Sequence, residues 1–339
     1  MKRMVWCFMI VFFVSSLESI NLAGEAIQFK GGVQIWLSHA EREADDAGYG
    51  FTLRRVRLKP YGSFSNKIKW TLHAGWDKQS AKLIEVYLDF LFSKGFNLRV
   101  GQFTPPGTIS STLTSSFKLD FLERPMVTEK WGDHNALTGF RSIGIQADGE
   151  LFDGKLYYAL MAANPKTSDL FNPSIKSTEY SHDSNGIMFW GRFEARLVKG
   201  LKLGAFIGTG KETDTDYVRT TYGAHFYYEF KKINFKAEYI EGKYGIENLE
   251  TKYNGFYIVL GYKVGKIEPI ARFDAYSPKD GTADNTGVET YNNYTLGINY
   301  FYNKNITLQA NYLIRDESMT AGLNKIKNNI FYVCCQYTF

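Results

Sequence analysis

From Lys67 to Trp76 the chain alternates without a break: Ile68, Trp70, Leu72, Ala74 and Trp76 share one face, while Lys67, Lys69, Thr71, His73 and Gly75 share the other. Successive side chains of a strand point to opposite faces, so one face asks for an apolar surrounding and the other for water. The pattern recurs as Tyr222, Ala224, Phe226, Tyr228 and Phe230 against Thr221, Gly223, His225, Tyr227 and Glu229. It recurs again as Ile306, Leu308, Ala310, Tyr312 and Ile314 against Thr307, Gln309, Asn311 and Leu313. Taken as strands, such runs fall at about 27–37, 49–63, 67–76, 82–92, 96–102, 141–148, 155–163, 187–197, 201–208, 217–230, 233–240, 253–264, 267–276, 291–302, 306–314 and 329–339. That makes about sixteen strands.

The connections sort into two kinds. Short turns are expected at Ser65-Asn66, Ser93-Lys94-Gly95, Gly149 to Gly154, Lys199-Gly200, Lys231-Lys232, Gly265-Lys266 and Asn303-Lys304-Asn305, alternating with longer loops. Such alternation suits strands that cross a membrane with both chain ends on its inner side, whereas a soluble sandwich has no reason to keep its long loops at one end. The fold expected is all-β: a 16-stranded antiparallel transmembrane β-barrel with a long inward-folded third loop, running from Phe103 to about Phe140.

The first residues read as a secretory leader, with Lys2 and Arg3 ahead of an apolar run from Val5 to Val14 that is too short to span a bilayer. The expected division is a signal peptide over 1–26 and a barrel domain over 27–339, with cleavage after Ala26, or nearly as well after Ala23 or Gly24. Beyond the leader no apolar stretch is long enough for a transmembrane helix. The remaining chain is rich in Tyr, Phe, Gly, Asn and Thr and poor in Pro, as many strands joined by turns require. Of three cysteines, Cys7 lies in the leader; Cys334 and Cys335 are adjacent in the last strand, point to opposite faces and are expected to be free thiols. A net charge of +5, with no basic run, gives no reason to expect nucleic acid.

The chain ends Phe331, Val333, Cys335, Tyr337, Phe339, apolar at every second position. This resembles the C-terminal signature of outer-membrane proteins, in which a terminal aromatic, here Phe339, is read by the barrel-insertion machinery. Tyr294, Tyr300 and Tyr302 suit an interfacial girdle against outer-membrane lipid.

Several segments together resemble the phosphate-selective porin O and P family. They are Leu53-Arg54-Arg55-Val56-Arg57-Leu58, Leu98-Arg99-Val100-Gly101-Gln102-Phe103, Leu113-Thr114-Ser115-Ser116 with Phe121-Leu122-Glu123-Arg124, Ile143-Gly144-Ile145, and Asp153-Gly154-Lys155-Leu156-Tyr157-Tyr158-Ala159-Leu160. Pro269 to Asp274 is similar to a later family segment. The resemblance implies an outer-membrane channel of a Gram-negative bacterium, a homotrimer, with no cofactor and with small anions such as phosphate as permeants.

The residues give their own version of that expectation. Arg55, Arg57 and Lys59 are spaced by two and share a face, opposite Val56 and Leu58. Because a charge facing hydrocarbon costs about 2–4 kcal/mol at the midplane, the basic face should line a wet lumen. Lys67, Lys69, Arg99, Arg192, Arg196, Lys236 and Arg272 fall on polar faces by the same parity, and Lys118, Arg124 and Lys130 lie in the third loop. Arg54 falls on the apolar side and is expected near a strand end, where it can reach an interface. A ladder of guanidinium groups suits a passing oxyanion. Equally, Glu85, Asp89, Glu194, Glu229, Glu238 and Asp274 share the polar faces, and the loop adds Asp120, Glu123, Glu129 and Asp133. The cations are then paired wall charges of a general, weakly selective diffusion channel.

An enzyme or a structural barrel is the reading from another class. No catalytic residue is expected: His73 and His225 face the lumen by parity, His39, His134 and His182 lie in loops, and none sits in a nucleophile motif. No spacing suits a metal.

Overall fold

Inside a bilayer every backbone amide must find its partner within the protein, and strands achieve this only by closing on themselves. The computed structural model, which describes residues 20–22, 25–41, 48–77, 80–135, 140–165, 186–212, 217–246, 249–278, 288–319 and 328–339, shows that closure. Its strands are β1 (Ile20–Leu22), β2 (Glu25–Ala40), β3 (Tyr49–Ser63), β4 (Ile68–Asp77), β5 (Ser80–Leu91), β6 (Asn97–Phe103), β7 (Ser142–Leu151), β8 (Leu156–Ala163) and β9 (Gly186–Ala195). They continue as β10 (Leu201–Glu212), β11 (Val218–Phe230), β12 (Ile233–Ile246), β13 (Leu249–Tyr262), β14 (Ile267–Pro278), β15 (Val288–Phe301), β16 (Ile306–Met319) and β17 (Ile330–Thr338). From β2 onward each strand pairs antiparallel with the next, and β17 returns to β2 with Cys335 opposite Ile35, giving a 16-strand barrel. Phe339 and Gly31 exchange backbone hydrogen bonds, each 3.1 Å, at the seam. The strand β1 pairs with the start of β2. Apart from these residues, the expected leader lies outside the described part of the chain.

All sixteen expected strands are present, and several run further than their apolar alternation. The strands β12 and β13 extend to Ile246 and from Leu249, so their connection spans only 247–248, and that between β4 and β5 spans only 78–79. These two links are therefore not long loops. Past the apolar band a strand needs no lipid-facing residue, and polar extensions such as Glu241-Gly242-Lys243 carry no alternation to read.

Leu203, Ile207, Phe226, Ile258, Leu260, Leu296 and Ile298 are exposed on the outer wall, and Cys335 is exposed there while Cys334 is buried; both thiols are free. Leu296 stands between Tyr294 and Tyr300 on the outward side of β15. Leu296→Arg should destabilise the barrel by about 2–4 kcal/mol, read by equilibrium unfolding from lipid vesicles, whereas a lumenal substitution such as Asn311→Arg should not carry that lipid cost.

In β3 and β5, as in β15 at Glu289, an extra residue interrupts the ladder. Opposite Gln34 and Ile35 the register jumps from Arg55 to Leu53, leaving Arg54 as a bulge, and opposite His73 and Ala74 it jumps from Glu85 to Leu83, leaving Ile84. A bulge reverses the parity of everything beyond it.

Candidate functional site

Between β6 and β7 the chain takes a long connection built on two short helical pieces, a π-helical turn at Ile109–Leu113 and the helix α1 at Met126–Asn135. Thr108 opens the first: its hydroxyl accepts from the Ser111 amide at 3.1 Å and its carbonyl from Thr112 at 3.0 Å. Pro125 opens the second, its carbonyl accepting from Thr128 and Glu129. Val127 and Trp131 lie four apart on one side of α1, and both are fully buried. Trp131 meets Trp190 of β9 and Phe206 of β10 edge-on, with ring centroids 5.6 and 6.2 Å apart. Asn135 donates to the Tyr253 hydroxyl at 2.5 Å, and the His134 ring stacks on Tyr244 at 4.3 Å.

The backbone of the connection is served by inward-facing wall side chains. Arg192 donates to the Gly107 carbonyl at 2.8 Å, Gln34 to Ser116 at 3.1 Å, Gln336 to Phe117 at 3.0 Å, Asn299 to Asp120 at 3.0 Å and Arg272 to Glu123 at 2.8 Å. Asn311 accepts from the Leu122 amide at 2.8 Å. Irregular backbone away from bulk water needs such partners, and long amides and guanidinium groups supply them.

Along β3 to β7 the wall is electropositive. Glu123 of the connection takes Arg54 at 3.5 Å and Arg55 at 3.8 Å; Asp77 takes Arg57 at 2.6 Å and Lys82 at 3.0 Å; Glu85 takes Lys59 at 3.4 Å and Arg141 at 3.1 Å. Each of these carboxylates is shared by two cations. His73 adds a contact to Glu85 at 3.2 Å. A side chain at Gly75 would strike the Arg57 guanidinium, so glycine there gives Arg57 its path to Asp77. Contrary to expectation, Arg54 is not at an interface: the bulge turns it inward beside Arg55, and both lie over the Trp36 ring, 5.1 and 5.5 Å from its centroid. The other bulge turns Lys82 inward, and Arg141 reaches Glu85 from just before β7. Parity had suggested none of these three.

The remaining expected cations are arranged differently. Arg99 pairs with Asp89 at 2.7 Å, and Arg272 with Asp274 at 2.9 Å. Glu194 is shared by Arg192 at 2.7 Å and Arg196 at 2.8 Å, with His225 at 3.3 Å. Lys236 takes two acids, Asp120 at 2.8 Å and Glu229 at 2.5 Å. Lys69 sits on β4 opposite Asp89. Lys67 ends the exposed turn before β4, where the Ser65 hydroxyl accepts from the Lys67 and Ile68 amides and fixes that turn. In the connection Lys118 is exposed and Lys130 rides on α1. Arg124 is buried, donating to the Ser111 and Thr114 carbonyls at 3.4 and 3.0 Å, so it ties the connection to itself rather than facing open lumen. Burial pushes the Arg124 guanidinium down and the Glu129 carboxyl up, each away from its charged form.

A family profile described as phosphate-selective porin O and P matches residues 27–339. No curated protein sequence matches the chain. Among solved structures, OmpF of Salmonella typhi in complex with daunomycin superposes with a TM-score of 0.68 at 14% identity, over 95% of this chain and 100% of that one. The outer-membrane channel DcaP of Acinetobacter baumannii gives 0.65 at 11% identity over 94% and 99%. The trimer form of OmpT, an outer membrane protein of Vibrio cholerae, gives 0.63 at 13% identity over 93% and 99%. At these identities the likeness speaks to the barrel alone.

Proposed function

The chain belongs to the phosphate-selective porin O and P family, and from that premise we propose that this outer-membrane channel passes small hydrophilic solutes passively and favours anions such as phosphate. The observation that carries the preference is the two-to-one sharing of three carboxylates along β3 to β7, beside the one-to-one Arg99–Asp89 pair and Asp148: Arg54, Arg55, Arg57, Lys59, Lys82 and Arg141 are set against Glu123, Asp77 and Glu85. Paired charges cancel at a distance, but an unequal set leaves a field that raises the local concentration of anions. Guanidinium forks add donors in the geometry an oxyanion accepts, and sharing each carboxylate between two cations leaves donors spare.

The long connection narrows the path. With α1 packed on the β12 to β14 side and its Trp131 reaching β9 and β10, the passage runs along the β3 to β7 wall, where Lys59, Lys82 and Arg99 remain partly exposed. Three copies assemble as a homotrimer, in line with the family. Transport needs no reaction step, only sites strong enough to admit an ion and weak enough to release it.

The zero-current potential across a planar bilayer under a KCl gradient tests this. The sign for anions, with conductance reduced by millimolar phosphate, is the expected outcome. A potential near zero without phosphate block would leave a general diffusion channel whose charged wall is simply solvated.

A further inference from the structure

The first amides of a helical segment have no partner within it, so something outside must accept from them. Here two wall carboxylates do so for the two pieces of the long connection. Glu238 of β12 accepts from the Ile109 amide at 2.8 Å and from the Ser110 amide at 3.5 Å. Asp274 of β14 accepts from the Met126 amide at 3.0 Å. The two acids stand in one row across three strands, with Glu238 opposite Tyr257 and Tyr257 opposite Asp274.

Both carboxylates are held before they reach the connection. Glu238 accepts from the Tyr257 hydroxyl at 2.9 Å, and Tyr257 is bonded in turn to Tyr227. Asp274 accepts from Arg272 Nε at 2.9 Å and from Asn293 at 3.2 Å. Their side chains are essentially inaccessible to water, so each lost bond strands a buried charge or a buried amide. By sequence these acids pass for partners of lumenal cations, and Asp274 has such a partner, yet each spends an oxygen on backbone.

We propose that Glu238 and Asp274 are positioning residues that fix the aperture of the channel by docking the two helical pieces of the connection onto the β12 to β14 wall. This rests on the connection being the constriction, and the native thiol Cys334 offers a readout that does not depend on conduction. Cys334 is fully buried in a cluster with Trp36 and Leu122, and Leu122 belongs to the connection. When the connection leaves the wall, Cys334 is uncovered.

With Cys7 and Cys335 replaced by Ser, the purified full chain is treated with a maleimide. Glu238→Ala with Asp274→Ala should raise the rate of Cys334 labelling about tenfold, as expected when a local opening equilibrium loses roughly one charged hydrogen bond. Single-channel currents should become noisier. Glu238→Gln with Asp274→Asn keeps an acceptor oxygen at each site and should restore slow labelling. Unchanged labelling in a folded alanine variant overturns the proposal, as does equally fast labelling in the amide variant. If the wild type forms no pore, the labelling result still stands, and it is the conduction reading that fails.

Discussion

Arg55, Arg57 and Lys59 replaced together by Gln should lower the anion-to-cation permeability ratio about tenfold, a difference of roughly 1.4 kcal/mol, with conductance of the same order. The change leaves Arg54, Lys82 and Arg141 against Glu123, Asp77 and Glu85, so six cations facing three carboxylates become three facing three. A charge about 4 Å from a passing ion contributes about 1 kcal/mol even in bulk water, and screening trims the sum of three toward the stated figure. Adding Arg54→Gln tips the balance to two against three and should reverse the sign of the zero-current potential. The effect should shrink at high salt, where the Debye length falls to about 3 Å. A ratio unmoved by the triple substitution would place these residues off the conduction path.

The three cations of that set were legible in sequence for a simple reason. Arg55, Arg57 and Lys59 alternate with Val56 and Leu58 on an unbroken stretch of β3, where lipid outside and water inside dictate each side chain's direction. Arg54, Lys82 and Arg141 were hidden because parity holds only while a strand stays regular. One is a bulge residue, one lies beyond a bulge, and one precedes its strand. A third of the electropositive set, Arg54 and Lys82, therefore depends on two extra residues, and an alternating pattern cannot announce an insertion within itself.

The barrel could be read because sixteen strands face one solvent contrast, and closure required only that the last pair with the first, as β17 does with β2. The wall's bonds to the long connection could not. Asn299, Gln309, Asn311 and Gln336 look like any polar lumenal residues, and their partners are backbone carbonyls and an amide of a segment with no periodicity. Nothing in a side-chain pattern identifies a backbone partner 189 residues away along the chain, which is the separation between Asn311 and Leu122. The spacing of Val127 and Trp131 does offer a local sign, a two-residue apolar stripe at helical period inside an otherwise polar stretch.

That stripe sets the second large effect. Trp131→Ala should weaken docking of the connection by about 3–5 kcal/mol, because a buried aromatic is removed from a packed site that cannot collapse onto the gap. The loss falls on the connection and not on the barrel, whose strands are held by their own ladder and whose closure does not pass through α1. The barrel should therefore keep its heat resistance on a gel while its single-channel conductance rises and its open current flickers. Limited proteolysis should cut this variant between Thr104 and Phe140 and should spare the wild type there. Trp131→Phe separates shape from mere disturbance: the Trp131 Nε1 finds no acceptor among the described residues, so phenylalanine gives up area against Trp190 and Phe206 but none of the hydrogen bonds described. It should lie near the wild type in both measurements. An alanine variant with quiet current and an uncut connection would mean that the wall hydrogen bonds hold the connection alone, and that the aromatic contact follows docking instead of causing it.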